Sequence, residues 1–140
     1  MSKHALHKYN QVKVNAEVNE ANAHKLVQML MSRALEKMQL AKTYMQQGVI
    51  GLKGENISMV ISIIGGLQAS LDIEQGGELA SSLNDLYDYM KRKLLEANVL
   101  NKVECIDEVY NLLATIKSGW DGIEAEAAII LSKQAKSNNE

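Results

Sequence analysis

No proline occurs in the 140 residues of this chain. Proline fixes φ and lacks an N–H, so it is the strongest stop signal for a helix, and without it only glycine and polar turn residues can divide the sequence. The nine glycines are clustered rather than scattered, at positions 48, 51 and 54, at 65 and 66, at 76 and 77, and at 119 and 122. Phenylalanine is absent too, while alanine, leucine, methionine, glutamate, lysine and glutamine are plentiful, a usage that favours helix over strand. The chain is therefore expected to be all-α.

Apolar residues at helical spacing divide it into four long segments with a short one in front. In the front segment, from His4 to Val14, Leu6, Tyr9 and Val12 recur every three residues. They are too few to hold a helix alone, so this stretch must lean on the rest. Asn19 and Asn22 are candidate N-caps for the next helix, which carries Leu26, Val27, Leu30, Ala34, Met38, Ala41 and Met45 before Gly48, Gly51 and Gly54 end it. A third segment runs from Ile57 through Val60, Ile61, Ile64 and Leu67 to Leu71 and breaks at Gly76-Gly77. The fourth carries Leu79, Leu83, Leu86, Tyr87, Met90, Leu94 and Ala97, stopping near Asn98. The fifth starts at Val103 with Ile106, Val109, Tyr110, Leu113 and Ile116, and weakens where Gly119 and Gly122 bracket Trp120. One domain spanning residues 1–140 is expected. Short links make an antiparallel four-helix bundle the simplest packing, with residues 1–14 as an extra N-terminal helical segment laid over it as a cover and residues 134–140 as a frayed tail.

Charge and cysteine usage narrow the function. A formal net charge of −2 and a pI near 5.9 argue against a non-specific nucleic-acid binder, which needs a positive surface to displace counterions from phosphate. The only basic run, Lys91-Arg92-Lys93, splays around a helix and reads as a solvated face. Cys105 is alone, so no disulfide framework or thiolate pair is available, and a reducing compartment, the cytoplasm, is the expected setting. Neither a signal-peptide core nor a run of about 18 apolar residues is apparent, so no membrane insertion is expected.

Two helices carry more apolar surface than a four-helix bundle uses. A bundle helix needs an apolar stripe somewhat over 100° wide. On the helix holding Leu26 to Met45, Met31 and Leu35 widen that stripe on one side and Met29 and Leu40 on the other. From Ile57 through Leu71 there is no charged residue, and large side chains including Met59 and Ile63 fill about 200° of the circumference. The remainder is lined by Ser58, Ser62, Gly65, Gly66, Ala69 and Ser70, small residues that let another backbone come close. This face either packs on a neighbour inside the bundle or forms an uncharged groove for a partner helix, covered meanwhile by the front segment. The docking surface expected on the second reading comprises Leu6, Tyr9, Val12, Met31, Leu35, Ser58, Met59, Ser62, Ile63, Gly66 and Ala69. Methionines suit surfaces that repack against varied partners, and they fill core gaps equally well.

Catalytic patterns are poor. None of His4, His7 and His24 has a glutamate three residues before it, as a carboxylate-bridged di-iron bundle requires. His24, in an expected first turn and followed by Val27 and Gln28, does not fit a phosphotransfer histidine, and Gly76-Gly77-Glu78 lacks the lysine of a phosphate-cradling loop. His4 and His7 have no third metal ligand nearby. Neither enzymatic activity nor any cofactor or metal is expected. Tyr87 and Tyr89, flanking Asp88, point to different faces, one ring entering the core and the other staying at the surface.

The run Leu67-Gln68-Ala69-Ser70-Leu71-Asp72, then Gly76-Gly77-Glu78-Leu79-Ala80, Leu83, Leu86-Tyr87-Asp88-Tyr89-Met90, Leu94 and Ala97-Asn98, resembles the signature of the FliS family of flagellar export chaperones. Weaker similarity covers Tyr9-Asn10-Gln11-Val12, Lys25-Leu26-Val27-Gln28-Met29-Leu30, Asp107-Glu108-Val109 and Trp120, so that nearly the whole chain takes part. The chain departs from the family pattern at Ala21-Asn22-Ala23, where proline is frequent, at Met31-Ser32-Arg33, where a Tyr-Asp-Gly turn of helix is frequent, and at Met59 and Gly65, where polar residues are common. The resemblance implies a helical bundle that binds the C-terminal helical segment of flagellin, keeps it from polymerising in the cytoplasm and delivers it to the flagellar type III export apparatus. Export-gate components are a further candidate partner. The alternatives are an adaptor or regulator of the same pathway with a different client, and a bundle that associates with itself.

Overall fold

The computed structural model describes residues 3–123, with side chains at Ala5 and from residue 21 onward. Four helices follow in order: α1 (Lys3–Gln47), α2 (Ile50–Ala69), α3 (Ile73–Leu100) and α4 (Val103–Asp121). α1 packs on α2 and α4, α2 on α3, and α3 on α4, which closes a ring of antiparallel neighbours around one core.

Each boundary has a local cause. α1 contains no glycine or proline, so it runs unbroken for 45 residues to Gly48, whose φ of 75° is the left-handed conformation that terminates helices. Asn19 and Asn22 accordingly lie inside α1 rather than capping a new helix, and the front segment is the start of α1. Gly51 and Gly54, expected to help end that helix, belong instead to α2. The link between α2 and α3 falls at Ser70–Asp72, earlier than the glycine pair suggested. Asp72 caps α3 by accepting a hydrogen bond from the Gln75 N–H at 3.0 Å. Gly77 then kinks α3 with φ 59° and ψ −136°, a conformation open to glycine alone. Asn101, left-handed at φ 52°, ends α3, and Gly122 ends α4.

The core follows alternating steps of three and four residues on every helix. It takes Met31, Ala34, Met38 and Ala41 from α1, Ile57, Val60, Ile64 and Leu67 from α2, Tyr87, Met90, Leu94 and Ala97 from α3, and Ile106, Val109 and Leu113 from α4. This is the spacing of helices packed at shallow angles, knobs into holes. The seam on α1 differs from the expected one. Met31, expected on an outward flank, is 1% exposed in the core, whereas Leu26, expected inside, is 43% exposed. By length and composition α2 is apolar enough to cross a membrane, contrary to the expectation that no such run exists. Its hydrophobicity has another cause here, since α1 and α3 bury one side of it.

Candidate functional site

The outward side of α2 is the least usual surface of the bundle. Ser58, Ser62, Gly66 and Ala69 are exposed, and Gly65, Met59 and Ile63 are partly so. A Cβ built on Gly65 or Gly66 meets no atom within 4 Å among the described residues, so none of them packs against this stretch of the stripe. Of the two arrangements open to the small face, packing against another described helix is not the one this surface adopts. Leu35 is half-buried beside Tyr110, and Met31 faces inward. Leu6, Tyr9 and Val12, and the cover they were expected to form, fall among side chains outside the described residues.

Polar contacts set the edge where α2 meets α3. The Gln68 amide donates to Asp88 Oδ1 at 2.7 Å and to Asn84 Oδ1 at 2.9 Å, while Lys91 Nζ donates to Gln68 Oε1 at 2.6 Å. The amide bond, with Lys91 beside it, holds the Asp88 carboxyl below its ordinary pKa. At the other end the buried Lys53 donates to the Asn98 carbonyl at 2.9 Å and to Asn101 Oδ1 at 2.6 Å, satisfying the last turn of α3. Gly54 lies against the Asn98 side chain. These contacts fix an antiparallel register in which Ser58 stands level with Leu95. Leu95 is 54% exposed and Val99 76%, so large apolar side chains on α3 border the small face of α2.

A second feature lies at the opposite end of the bundle, where Val27, Leu71, Leu79, Leu83, Ile116 and Trp120 surround an apolar cavity of about 280 Å³ floored by Met31, Leu67 and Tyr87. Burial pushes the Tyr87 phenol up to about 12. Trp120 is held by a reciprocal pair of bonds. Its indole Nε1 donates to the His24 carbonyl at 3.0 Å, His24 Nε2 donates to the Trp120 carbonyl at 2.9 Å, and the two rings stack at 5.0 Å. Gln28 and Lys117 both donate to Asp121, and Lys117 in particular lowers its pKa. Sequence reasoning missed this cavity, since its lining comes from four helices and none of them shows it alone. The spacing of Tyr87 and Tyr89 did separate the two rings, and Tyr87 is 2% exposed while Tyr89 donates to Glu108 at the surface.

Nothing in this arrangement suggests bond-making chemistry. Burial raises the Cys105 pKa, which suppresses the thiolate a nucleophile needs. Among the described residues no three His, Cys, Asp or Glu side chains converge as metal ligands do. What the surface offers is apolar area and close backbone approach along a helix, which suits helix-in-groove recognition.

The family model described as "Flagellar protein FliS" matches residues 5–127. A flagellar secretion chaperone, FliSB, of Pseudomonas aeruginosa is 48% identical over 119 residues, which cover 85% of this chain and 94% of that protein. The flagellar secretion chaperone FliS of Salmonella typhimurium is 43% identical over 86% of this chain and 90% of its own length. The one from Vibrio cholerae is 39% identical over 87% and 90%.

Proposed function

The chain belongs to the FliS family of flagellar secretion chaperones, and from that premise we propose that it binds the C-terminal helical segment of flagellin in the cytoplasm, prevents its premature polymerisation and delivers it to the type III export apparatus. The observation that carries this reading is the uncharged small-residue face of α2, open along Ser58, Ser62 and Gly66 and bordered by exposed Leu95. A client helix laid there meets little side-chain bulk and no charge on α2 between Ile57 and Leu71.

Magnitudes set the form of the complex. Ordering each client residue costs about 1–2 kcal/mol of backbone entropy, and each large apolar side chain buried returns about 1.5–3 kcal/mol. A single helix with one anchor every three or four residues falls short, at about 3–8 kcal/mol of ordering cost per anchor. The client must therefore wrap more than one face, and it must be unfolded when free to do so.

The test is titration calorimetry with a peptide spanning the flagellin C-terminal segment. Ser62→Glu is expected to weaken binding at least tenfold while the circular dichroism spectrum and melting temperature stay near those of the parent, because Ser62 is exposed. Unchanged affinity would remove α2 from the docking surface. Absence of binding by the parent chain itself would overturn flagellin as the client.

A further inference from the structure

The apolar cavity at the end of the bundle is distinct from the α2 face, and its mouth is half open. Leu79 there is 59% exposed, and Leu83 and Trp120 are partly so. At about 280 Å³ it is roughly twice the size of an apolar cavity that accommodates benzene, about 150 Å³. On that scale it holds a molecule of about ten heavy atoms.

One polar side chain on the lining is left over. The Ser70 hydroxyl donates to the Leu67 carbonyl at 2.7 Å, the Thr115 hydroxyl to the Asn111 carbonyl at 2.9 Å, and the Trp120 indole to the His24 carbonyl at 3.0 Å. Tyr87, on the floor, is 2% exposed, and no described residue bonds its hydroxyl. The phenol is protonated at neutral pH, since burial raises its pKa, and is able to donate. Leaving a buried donor without a partner costs about 1–3 kcal/mol. Water meets that need poorly, because an internal water takes about two to four polar partners and this lining offers it a single free side-chain group.

Charge narrows the class of ligand further. No charged side chain among the described residues lies on the lining, so an ion entering would shed its water with no counter-charge to replace it. The molecule that fits is uncharged, largely hydrocarbon, and carries one acceptor such as a ketone, ester or ether oxygen.

We propose that this cavity is a binding site for a small neutral apolar molecule bearing a single hydrogen-bond acceptor, to which the Tyr87 hydroxyl donates. Because Val27, Leu67, Tyr87 and Trp120 come from four different helices, such a ligand stabilises the closed bundle by binding the folded state alone.

The probe is 2-octanone, and n-propylbenzene, of similar size but without a polar atom, is the comparison. Trp120 is the only tryptophan and lines the cavity, so its fluorescence reads occupancy. Titrating the full chain with 2-octanone is expected to change that emission saturably and to raise the melting temperature, with affinity at least tenfold above that for n-propylbenzene or octanoate. Tyr87→Phe keeps the ring and should remove the preference for 2-octanone while leaving n-propylbenzene binding within twofold of the parent. Equal affinity of parent and variant for 2-octanone would overturn Tyr87 as the donor. Should the variant fail to fold, equal affinity of the parent for the two probes overturns the acceptor, and no saturable binding of either overturns the site. None of these outcomes bears on the α2 face, which the flagellin peptide tests separately.

Discussion

Tyr87 and Tyr89 are separated by one residue, and helix geometry gives them opposite environments. The Tyr87 phenol is buried and its pKa is raised to about 12 by desolvation. In the unfolded chain the same group ionises near 10, so between those values the unfolded state has lost a proton that the folded state keeps. Its contribution is fully present below pH 10 and is lost as pH rises toward 12. Two pH units correspond to about 3 kcal/mol. Tyr87→Phe is therefore expected to flatten the decline in unfolding free energy over that range relative to the parent, as measured by urea melts. Parallel declines in both proteins would show that the phenol is hydrated when folded.

On α2 and α3, two glycines with open space around them respond oppositely to a methyl group. Gly66 is exposed in a helical turn with nothing within 4 Å of an added Cβ. Gly66→Ala should stabilise the free protein by about 0.5–1 kcal/mol through helix propensity, yet weaken the client complex if the small face is the docking surface. Gly77 has equal room but a positive φ, so Gly77→Ala should cost about 1–3 kcal/mol through backbone strain alone. Thermal unfolding of both variants beside the parent decides the signs. A destabilised Gly66→Ala would mean that the exposed helix face is already occupied. The family signature becomes intelligible at this scale: Leu67 and Leu71 are core, Gln68 bonds Asp88 across to α3, Asp72 caps α3, Gly77 kinks it, and Ala80, Tyr87 and Met90 return to the core.

Across the whole bundle, three surface carboxylates are held in their charged form, two of them by bonds between helices. Gln68 and Lys91 lower the pKa of Asp88, Lys93 lowers that of Glu96, and Lys117 and Gln28 lower that of Asp121, tying α2 to α3 and α1 to α4. A lowered folded-state pKa means that the unfolded chain takes up protons first as pH falls, so this contribution is present above the ordinary carboxylate range and lost below it. The melting temperature should hold between pH 7 and about pH 5 and decline below about pH 4, and Asp88→Asn should shrink that acid-side decline. A melting temperature unchanged down to pH 3 would show these exposed contacts to be energetically idle.

The sequence by itself determined the helical class, since the absence of proline and the clustering of glycine leave few places for a helix to stop, and it located Gly48, the turn before Val103 and the weak end at Trp120, though it divided α1 near Asn19 and Asn22 and put the α2–α3 break at Gly76-Gly77 rather than at Ser70–Asp72. It also singled out the face of α2 from Ser58 to Ala69, because composition on one helix is a local property. Which of two adjacent stripes on α1 turns inward was not local. Leu30 and Met31 are equally apolar, and only the fit against α2 and α4 selects the seam of Met31, Ala34, Met38 and Ala41. The His24–Trp120 pair and the cavity beside it join residues 96 positions apart. No pattern within a helix records such a meeting, because it exists only once the ring of four helices has closed.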